Sequence, residues 1–112
     1  PLIHPTQAAL LRAQLDDALA GGARVVAQAT VAPGGADGAF FPPTVLADVR
    51  PDGRVLREET FGPLLPVVAV PDEAAAVARA NDSAFGLSAS VWTRDPARGR
   101  RVADRLHAGT VA

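Results

Sequence analysis

Apolar residues recur with helical spacing near the start of the chain, at i, i+4, i+7 and i+8, which predicts a helix with one buried face. The face consists of Leu11, Leu15, Ala18 and Leu19. Thr6 is the predicted N-cap of this helix, and the pair Gly21-Gly22 is its predicted C-terminal stop. The sequence RVVAQA, residues 24–29, then favours a short strand.

The middle of the chain contains a predicted loop and two extended segments. PGGADGAF, residues 33–40, predicts a loop because of its proline and glycine content. FPPTVLADV, residues 41–49, predicts an extended segment whose prolines restrict it to a sheet edge or to the entry of a strand. LLPVVAV, residues 64–70, is apolar at successive positions, which favours a strand covered on both faces, as in a parallel sheet.

The second half of the chain alternates between helices and strands. A helix is predicted over 72–81 and a strand over 87–93, and Asp95-Pro96 supplies the cap and first-turn proline of a further helix. Gly109 is the predicted end of that helix, before a final strand. The predicted inner faces of the two helices are Ala74, Val77 and Ala78, and Val102, Ala103 and Leu106. This order predicts right-handed crossovers and an α/β fold, without an internal repeat or linker.

Composition narrows the possible functions. The 112 residues include 11 basic and 12 acidic side chains, so a net charge of -1 gives no support for a nucleic-acid partner or a membrane surface. The chain has no cysteine, which excludes a disulfide or a cysteine nucleophile within it. No run approaches the roughly 20 apolar residues of a membrane span, and no secretion signal is visible, so a cytoplasmic location is the default expectation.

Most of the other candidate sites are explained by ordinary structure. His4 and His107 each lack a second ligand-type residue at metal-binding spacing, so no metal site is predicted. APGGADG is rich in glycine but lacks the GxGxxG spacing and opens no helix, so it predicts a surface loop. The arginines of the last helix have no interleaved aromatic residues, which predicts a solvated face.

The stretch REETFGP, residues 57–63, places two adjacent carboxylates, Glu58 and Glu59, beside the most apolar run of the chain. One interpretation is structural, with one carboxylate capping backbone amides and the other facing water or the neighbouring arginine. The other is functional, because a carboxylate has two acceptor oxygens that match the two hydroxyls of a ribose, and an aromatic ring beside it offers a flat surface to a heterocycle. Gly62 would permit close approach and unusual backbone angles, and Pro63 would fix the turn. The residues alone leave both interpretations open.

REETFGPLLPV resembles the Glu-Glu-x-Phe-Gly-Pro signature of the NAD(P)-dependent aldehyde dehydrogenase superfamily. Other segments are similar to that family's segments and occur in its order: PLIHPTQ, ALAGGARVV, FFPPTVLADV, ANDSAFGLSASVWTRD and LHAGTV. The resemblance therefore covers nearly the whole chain. It implies that residues 1–112 are part of the family's catalytic domain, an α/β unit with a parallel-rich open sheet and flanking helices, and that they come from a longer, homo-oligomeric enzyme.

The resemblance also implies a reaction and a cofactor site. Enzymes of the family oxidise an aldehyde to a carboxylic acid with NAD or NADP through a cysteine thiohemiacetal. By the family pattern, Glu59 binds the hydroxyls of the nicotinamide ribose and Phe61 packs near the nicotinamide ring, whereas Glu58 makes structural hydrogen bonds. The nucleophilic cysteine, the general base and the nucleotide-binding domain lie upstream in the family order, and the oligomerisation strand lies downstream. No catalytic residue is therefore assigned in this chain, which is expected to be inactive alone.

Two alternative hypotheses remain. In the first, the chain is a free-standing noncatalytic interaction module derived from the enzyme, which would cover its exposed apolar surfaces with a partner. In the second, it is a minimal cofactor-binding protein that uses Glu59 and Phe61 alone. The lack of a phosphate-binding helix terminus in the sequence disfavours this second hypothesis.

Overall fold

The computed structural model describes residues 2–30 and 40–112, and the chain divides into two compact units, Pro1–Ala69 and Val70–Ala112. Unit 1 contains α1 (Pro5–Ala20), β1 (Arg24–Gln28), β2 (Thr44–Ala47), α2 (Arg54–Arg57) and β3 (Leu64–Val67). Unit 2 contains α3 (Glu73–Asn81), β4 (Ser88–Ala89), α4 (Pro96–Ala103) and β5 (Thr110–Val111). The mixture of helices and open sheets confirms the predicted α/β class. The boundary between the units falls inside LLPVVAV, the run that the sequence predicts as one strand over 64–70. Strand β3 ends before this boundary, at Val67.

Helix α1 begins two residues earlier than predicted. Its N-cap is His4, whose Nδ1 accepts a hydrogen bond from the backbone amide of Thr6 at 3.3 Å. Pro5 occupies the first turn, where its missing N–H costs nothing, so Thr6 lies inside the helix and the prediction that it is the cap is wrong. The predicted glycine stop is confirmed, since Gly22 adopts a φ of 93°, which a side chain disfavours. Leu19 is 42% exposed and does not belong to the buried face.

Unit 1 is built around a three-stranded sheet in the order β1-β2-β3. Strand β2 lies in the centre, antiparallel to β1 and parallel to β3. Its two prolines, Pro42 and Pro43, precede the strand, so they mark its entry and not a sheet edge. The core of this unit consists of Leu11, Ala18, Ala23, Phe41, Leu46, Val49, Val55 and Leu64.

Strand β3 is buried on one face only, so the prediction of a strand covered on both faces is wrong for this chain. Leu64 is 7% exposed, whereas Leu65 and Val67 are 59% and 51% exposed. Successive side chains of a strand point to opposite faces, and α1 packs on the face that contains Leu64. No element of the described part of unit 1 buries the opposite face. The apolar pattern therefore predicts the strand correctly but not its environment.

Unit 2 contains the predicted order of helices and strands in shortened form. Strands β4 and β5 are parallel and contain two residues each, so the strand predicted over 87–93 is mostly irregular. Both helices begin where predicted. The Asp72 side chain accepts a hydrogen bond from the amide of Ala75 at 2.7 Å, and that of Asp95 accepts from the amide of Arg98 at 3.0 Å.

The inner faces of the two helices are narrower than predicted. In α3, Val77 is buried, but Ala74 and Ala78 are exposed. Val102 and Ala103 of α4 are half-buried, as is Leu106, which lies beyond the helix because α4 ends at Ala103. Gly109 is therefore not the residue that ends the helix. Alanine buries little apolar area, so these short helices gain most of their burial from valine.

Candidate functional site

The acidic turn, which we define as residues 58–63, connects α2 to β3. It begins at Glu58, the C-cap of α2, whose backbone N–H donates to the carbonyl of Arg54 at 2.8 Å. It ends at Pro63, whose carbonyl accepts a hydrogen bond from the backbone amide of Thr44 at 2.8 Å. Both ends of the turn are therefore joined to regular structure of unit 1.

The two adjacent carboxylates occupy different environments. Glu58 forms a two-pronged ion pair with Arg54, with distances of 2.7 Å from Nε to Oε1 and 3.0 Å from Nη2 to Oε2. Gln14 Nε2 donates to the same carboxylate at 3.3 Å. The hydrogen bond from Arg54, and then that from Gln14, lowers the pKa of Glu58 below its ordinary value. Glu58 thus makes the structural hydrogen bonds that the sequence predicts, but to Arg54 and not to the adjacent arginine.

Glu59 is exposed, and its carboxylate has no hydrogen-bond or ion-pair partner among residues 2–30 and 40–112. Its backbone is nevertheless held, because its carbonyl oxygen accepts a hydrogen bond from Gln14 Nε2 at 3.4 Å. Two carboxylate oxygens are consequently available to an external donor on a backbone that unit 1 anchors. That is the arrangement required for binding a pair of hydroxyls.

Phe61 lies two residues further along the acidic turn and is 70% exposed. Its ring lines a cavity of about 600 Å³ together with residues of the chain start and of α1. The cavity is lined by Leu2, Ile3, His4, Gln7, Thr60, Phe61 and Gly62. Gln7 contributes a buried amide nitrogen that has no hydrogen-bond partner within the described chain. An exposed aromatic ring at the edge of a mainly apolar cavity can pack against a planar group.

Gly62 explains why the acidic turn can approach α1 so closely. A Cβ atom at this position would lie 2.7 Å from Leu11 Cδ2 and closer still to Cδ1, and Leu11 is fully buried. The lack of a side chain at Gly62 therefore lets α1 pack directly against the turn, whereas the close approach of a ligand to this glycine stays a prediction. The unusual backbone angle is not confirmed, since the positive φ found among the described glycines occurs at Gly22.

Sequence reasoning did not identify Gln14, which is fully buried on the inner face of α1. Its side chain contacts three consecutive residues of the acidic turn, since Thr60 Oγ1 also donates to Gln14 Oε1 at 2.8 Å. The helical pattern of the sequence did contain a signal for this residue. Gln14 lies three residues after Leu11 and four before Ala18, so it is a polar residue on the helical stripe that forms the core.

The remaining candidates yield no second site. No group of three potential metal-ligating side chains occurs in the described ranges, and no helix there is long and apolar enough to cross a membrane. His107 is exposed, and its backbone amide donates to the side chain of Asn81 at 2.8 Å. The glycine-rich APGGADG, residues 32–38, lies entirely outside the described residues.

Comparisons with known proteins identify the family. The sequence model described as "Aldehyde dehydrogenase family" matches residues 1–112. The chain is 44% identical over 111 residues to the NADP(+) succinate-semialdehyde dehydrogenase GabD of Escherichia coli K12, and 48% identical over 113 residues to an NADP(+) succinate-semialdehyde dehydrogenase of Deinococcus radiodurans. Each alignment covers 99% of this chain and 23% of the relative.

Solved structures agree with the sequence relatives. The fold matches that of a Mycobacterium tuberculosis aldehyde dehydrogenase complexed with NAD+, with a TM-score of 0.91 and 36% sequence identity. That match covers 99% of this chain and 23% of the other. The chain thus spans between a fifth and a quarter of the length of these relatives, and across that span it belongs to the aldehyde dehydrogenase family.

Proposed function

We propose that residues 1–112 form part of the catalytic domain of an enzyme that oxidises an aldehyde to a carboxylic acid with NAD or NADP. The reaction would proceed through a cysteine thiohemiacetal. Since this chain has no cysteine, the nucleophile would come from another part of the protein, and the 112 residues alone would be inactive. The names of the relatives above specify NADP(+) or a complex with NAD+, which supports a nicotinamide dinucleotide as the cofactor.

Within that enzyme, Glu59 would accept hydrogen bonds from the hydroxyls of the nicotinamide ribose, and Phe61 would pack near the nicotinamide ring. The bound cofactor would supply the hydride acceptor, and the role of this chain would be to position it. The single observation that carries the proposal is the contrast between Glu58 and Glu59. The first carboxylate is neutralised by Arg54, whereas the second is exposed on an anchored backbone without a partner in the described chain. Rigid positioning of reacting groups accounts for a large part of enzymatic rate acceleration.

Glu59→Gln in the whole enzyme that contains this chain tests the proposal. The substitution keeps the size of the side chain but removes a charged acceptor, which costs about 1–3 kcal/mol, or roughly a 5- to 150-fold loss. We expect the loss in the single-turnover rate of NAD(P)H formation and in cofactor affinity. Glu73→Gln is the matched control, because Glu73 pairs with Arg98 in unit 2 and should not affect either quantity. Unchanged kinetics for Glu59→Gln would remove Glu59 from the cofactor site.

A second candidate function is a free-standing noncatalytic interaction module. Leu87 and Trp92 are 88% and 93% exposed, and large apolar residues exposed to this degree favour a covering partner. The same exposure fits an enzyme in which other segments or subunits cover these residues, as expected for a homo-oligomer. Size-exclusion chromatography with light scattering separates the two on the native protein. A species of about 11.5 kDa bound to another protein would favour the module. A cytoplasmic location stays a prediction, which cell fractionation would check.

A further inference from the structure

Gln14 is a polar side chain of α1 with no exposed surface, and it uses both ends of its amide on the acidic turn. Its Oε1 accepts a hydrogen bond from Thr60 Oγ1 at 2.8 Å. Its Nε2 lies 3.4 Å from the Glu59 carbonyl oxygen and 3.3 Å from Glu58 Oε2. Three consecutive residues of the turn are thus bonded to one buried group, 44 to 46 positions earlier in the sequence.

The chemistry of the partners fixes the orientation of this amide. The Glu59 carbonyl and the ionised Glu58 carboxylate can only accept hydrogen bonds, so they must face the NH2 group of Gln14. The hydroxyl of Thr60 can donate, and it faces the remaining amide oxygen. Reversing the amide would place oxygen against oxygen at two of the three contacts. One orientation of the Gln14 amide therefore satisfies the amide itself and its three partners on the turn. This arrangement joins the backbone of the turn to helix α1.

We propose that Gln14 is a positioning residue for the cofactor. Through its hydrogen bonds to Thr60 and to the Glu59 carbonyl, Gln14 sets the location of Glu59 and Phe61. The inference rests on the proposed function, in which those two residues contact the nicotinamide ribose and ring. Gln14 itself would touch no substrate or cofactor, because it has no exposed surface. Gly62 assists on the far side of Phe61, where its lack of a side chain allows the turn to contact Leu11.

Gln14→Met in the whole enzyme removes the amide while keeping nearly the same side-chain length. We expect the single-turnover rate of NAD(P)H formation to fall about 10- to 100-fold, since displacement of a positioned group by about 1 Å has effects of that size. The aldehyde KM should change little, because the loss lies in cofactor placement. Thr60→Val serves as a second, nearly isosteric variant if Gln14→Met fails to fold, and it should lower the same rate in the same direction.

Two controls separate positioning from a general loss of stability. Gln28→Met makes the same chemical change in β1, where Gln28 Nε2 donates to Thr44 Oγ1 at 3.0 Å, and it should leave the rate within about twofold. Leu46→Val reduces core packing in β2, where Leu46 is fully buried. If Leu46→Val lowers both the melting temperature and the rate as much as Gln14→Met does, then Gln14 acts only through stability and the proposal is overturned.

A double-mutant cycle with Glu59→Gln distinguishes the failure of this inference from the failure of the proposed function. If Gln14 acts through Glu59 in part, Gln14→Met should slow the reaction substantially less in the Glu59→Gln background than in the wild type. An equal slowing in both backgrounds, or no slowing by Gln14→Met and Thr60→Val, overturns the positioning role while leaving the ribose contact intact. No slowing by Glu59→Gln alone overturns the ribose contact, and with it the part of the route from Gln14 that passes through Glu59.

Discussion

Gly62→Ala is the most direct test of how the acidic turn is held against α1. The added Cβ would lie 2.7 Å from Leu11 Cδ2 and 3.0 Å from Cγ, both closer than packed carbon atoms normally approach. The obstructing atoms belong to a side chain that could rotate in solvent, but Leu11 is fully buried in the core. Overpacking of this kind costs about 1–3 kcal/mol.

Leu11→Ala provides a second background, in which the cost of the contact between the added Cβ and Leu11 can be separated from other effects of Gly62→Ala. Alanine at position 11 lacks Cγ and both Cδ atoms, so the clash disappears. Gly62→Ala should then stabilise the protein by about 0.4–1 kcal/mol, because alanine restricts the unfolded chain and the native φ of Gly62 is not positive. Leu11→Ala alone should cost about 2–5 kcal/mol through the cavity that it creates. The coupling free energy between the two positions is therefore expected to be about 2 kcal/mol.

Urea unfolding of the 112-residue chain, followed by far-ultraviolet circular dichroism, measures the four free energies of this cycle. The fluorescence of Trp92 is unsuitable, since this residue lies in unit 2 and is almost fully exposed. Additive effects, with Gly62→Ala destabilising equally in both backgrounds, would refute the close contact with Leu11 as the reason for glycine at this position.

Three further predictions concern caps, a backbone angle and an ion pair. Asp72→Ala removes the acceptor of the Ala75 amide and should lower the free energy of unfolding by about 1 kcal/mol. Asp72→Asn keeps an acceptor oxygen and should lose much less stability, so equal losses for the two variants in urea titrations would contradict the cap. Gly22→Ala places a side chain at a φ of 93° and should cost about 1–2 kcal/mol, so an unchanged urea midpoint would contradict the strain. The pKa of Glu58 is lower in the folded chain than its ordinary value of about 4.5. The Glu58 carboxylate therefore contributes its full stabilisation at pH values above about 4.5, and this stabilisation is lost as the pH falls through the pKa of the folded chain. Arg54→Gln should therefore flatten the acid side of the stability curve, and parallel curves for variant and wild type would argue against this ion pair.

The sequence by itself determined the features that depend on neighbours within about four residues. Asp72 and Asp95 open helices where predicted, because an N-cap bonds to an amide three positions away. Gly22 ends α1 for a similarly local reason, its positive φ. The family signature also marks the acidic turn, since a motif of adjacent residues is visible in the sequence.

Tertiary structure decided which members of that motif are constrained and which are available. Glu58 and Glu59 are chemically identical in the sequence, and the choice between them follows from Arg54 and from Gln14, which lies more than 40 residues away. The burial of β3 on one face likewise depends on the packing of α1 and not on the composition of the strand. The contacts of Gln14 and of α1 join residues far apart in the chain, so no local pattern specifies them. The Arg54–Glu58 pair spans only four residues, but the same spacing is open to other side chains, and the folded arrangement shows which carboxylate is paired and which is exposed.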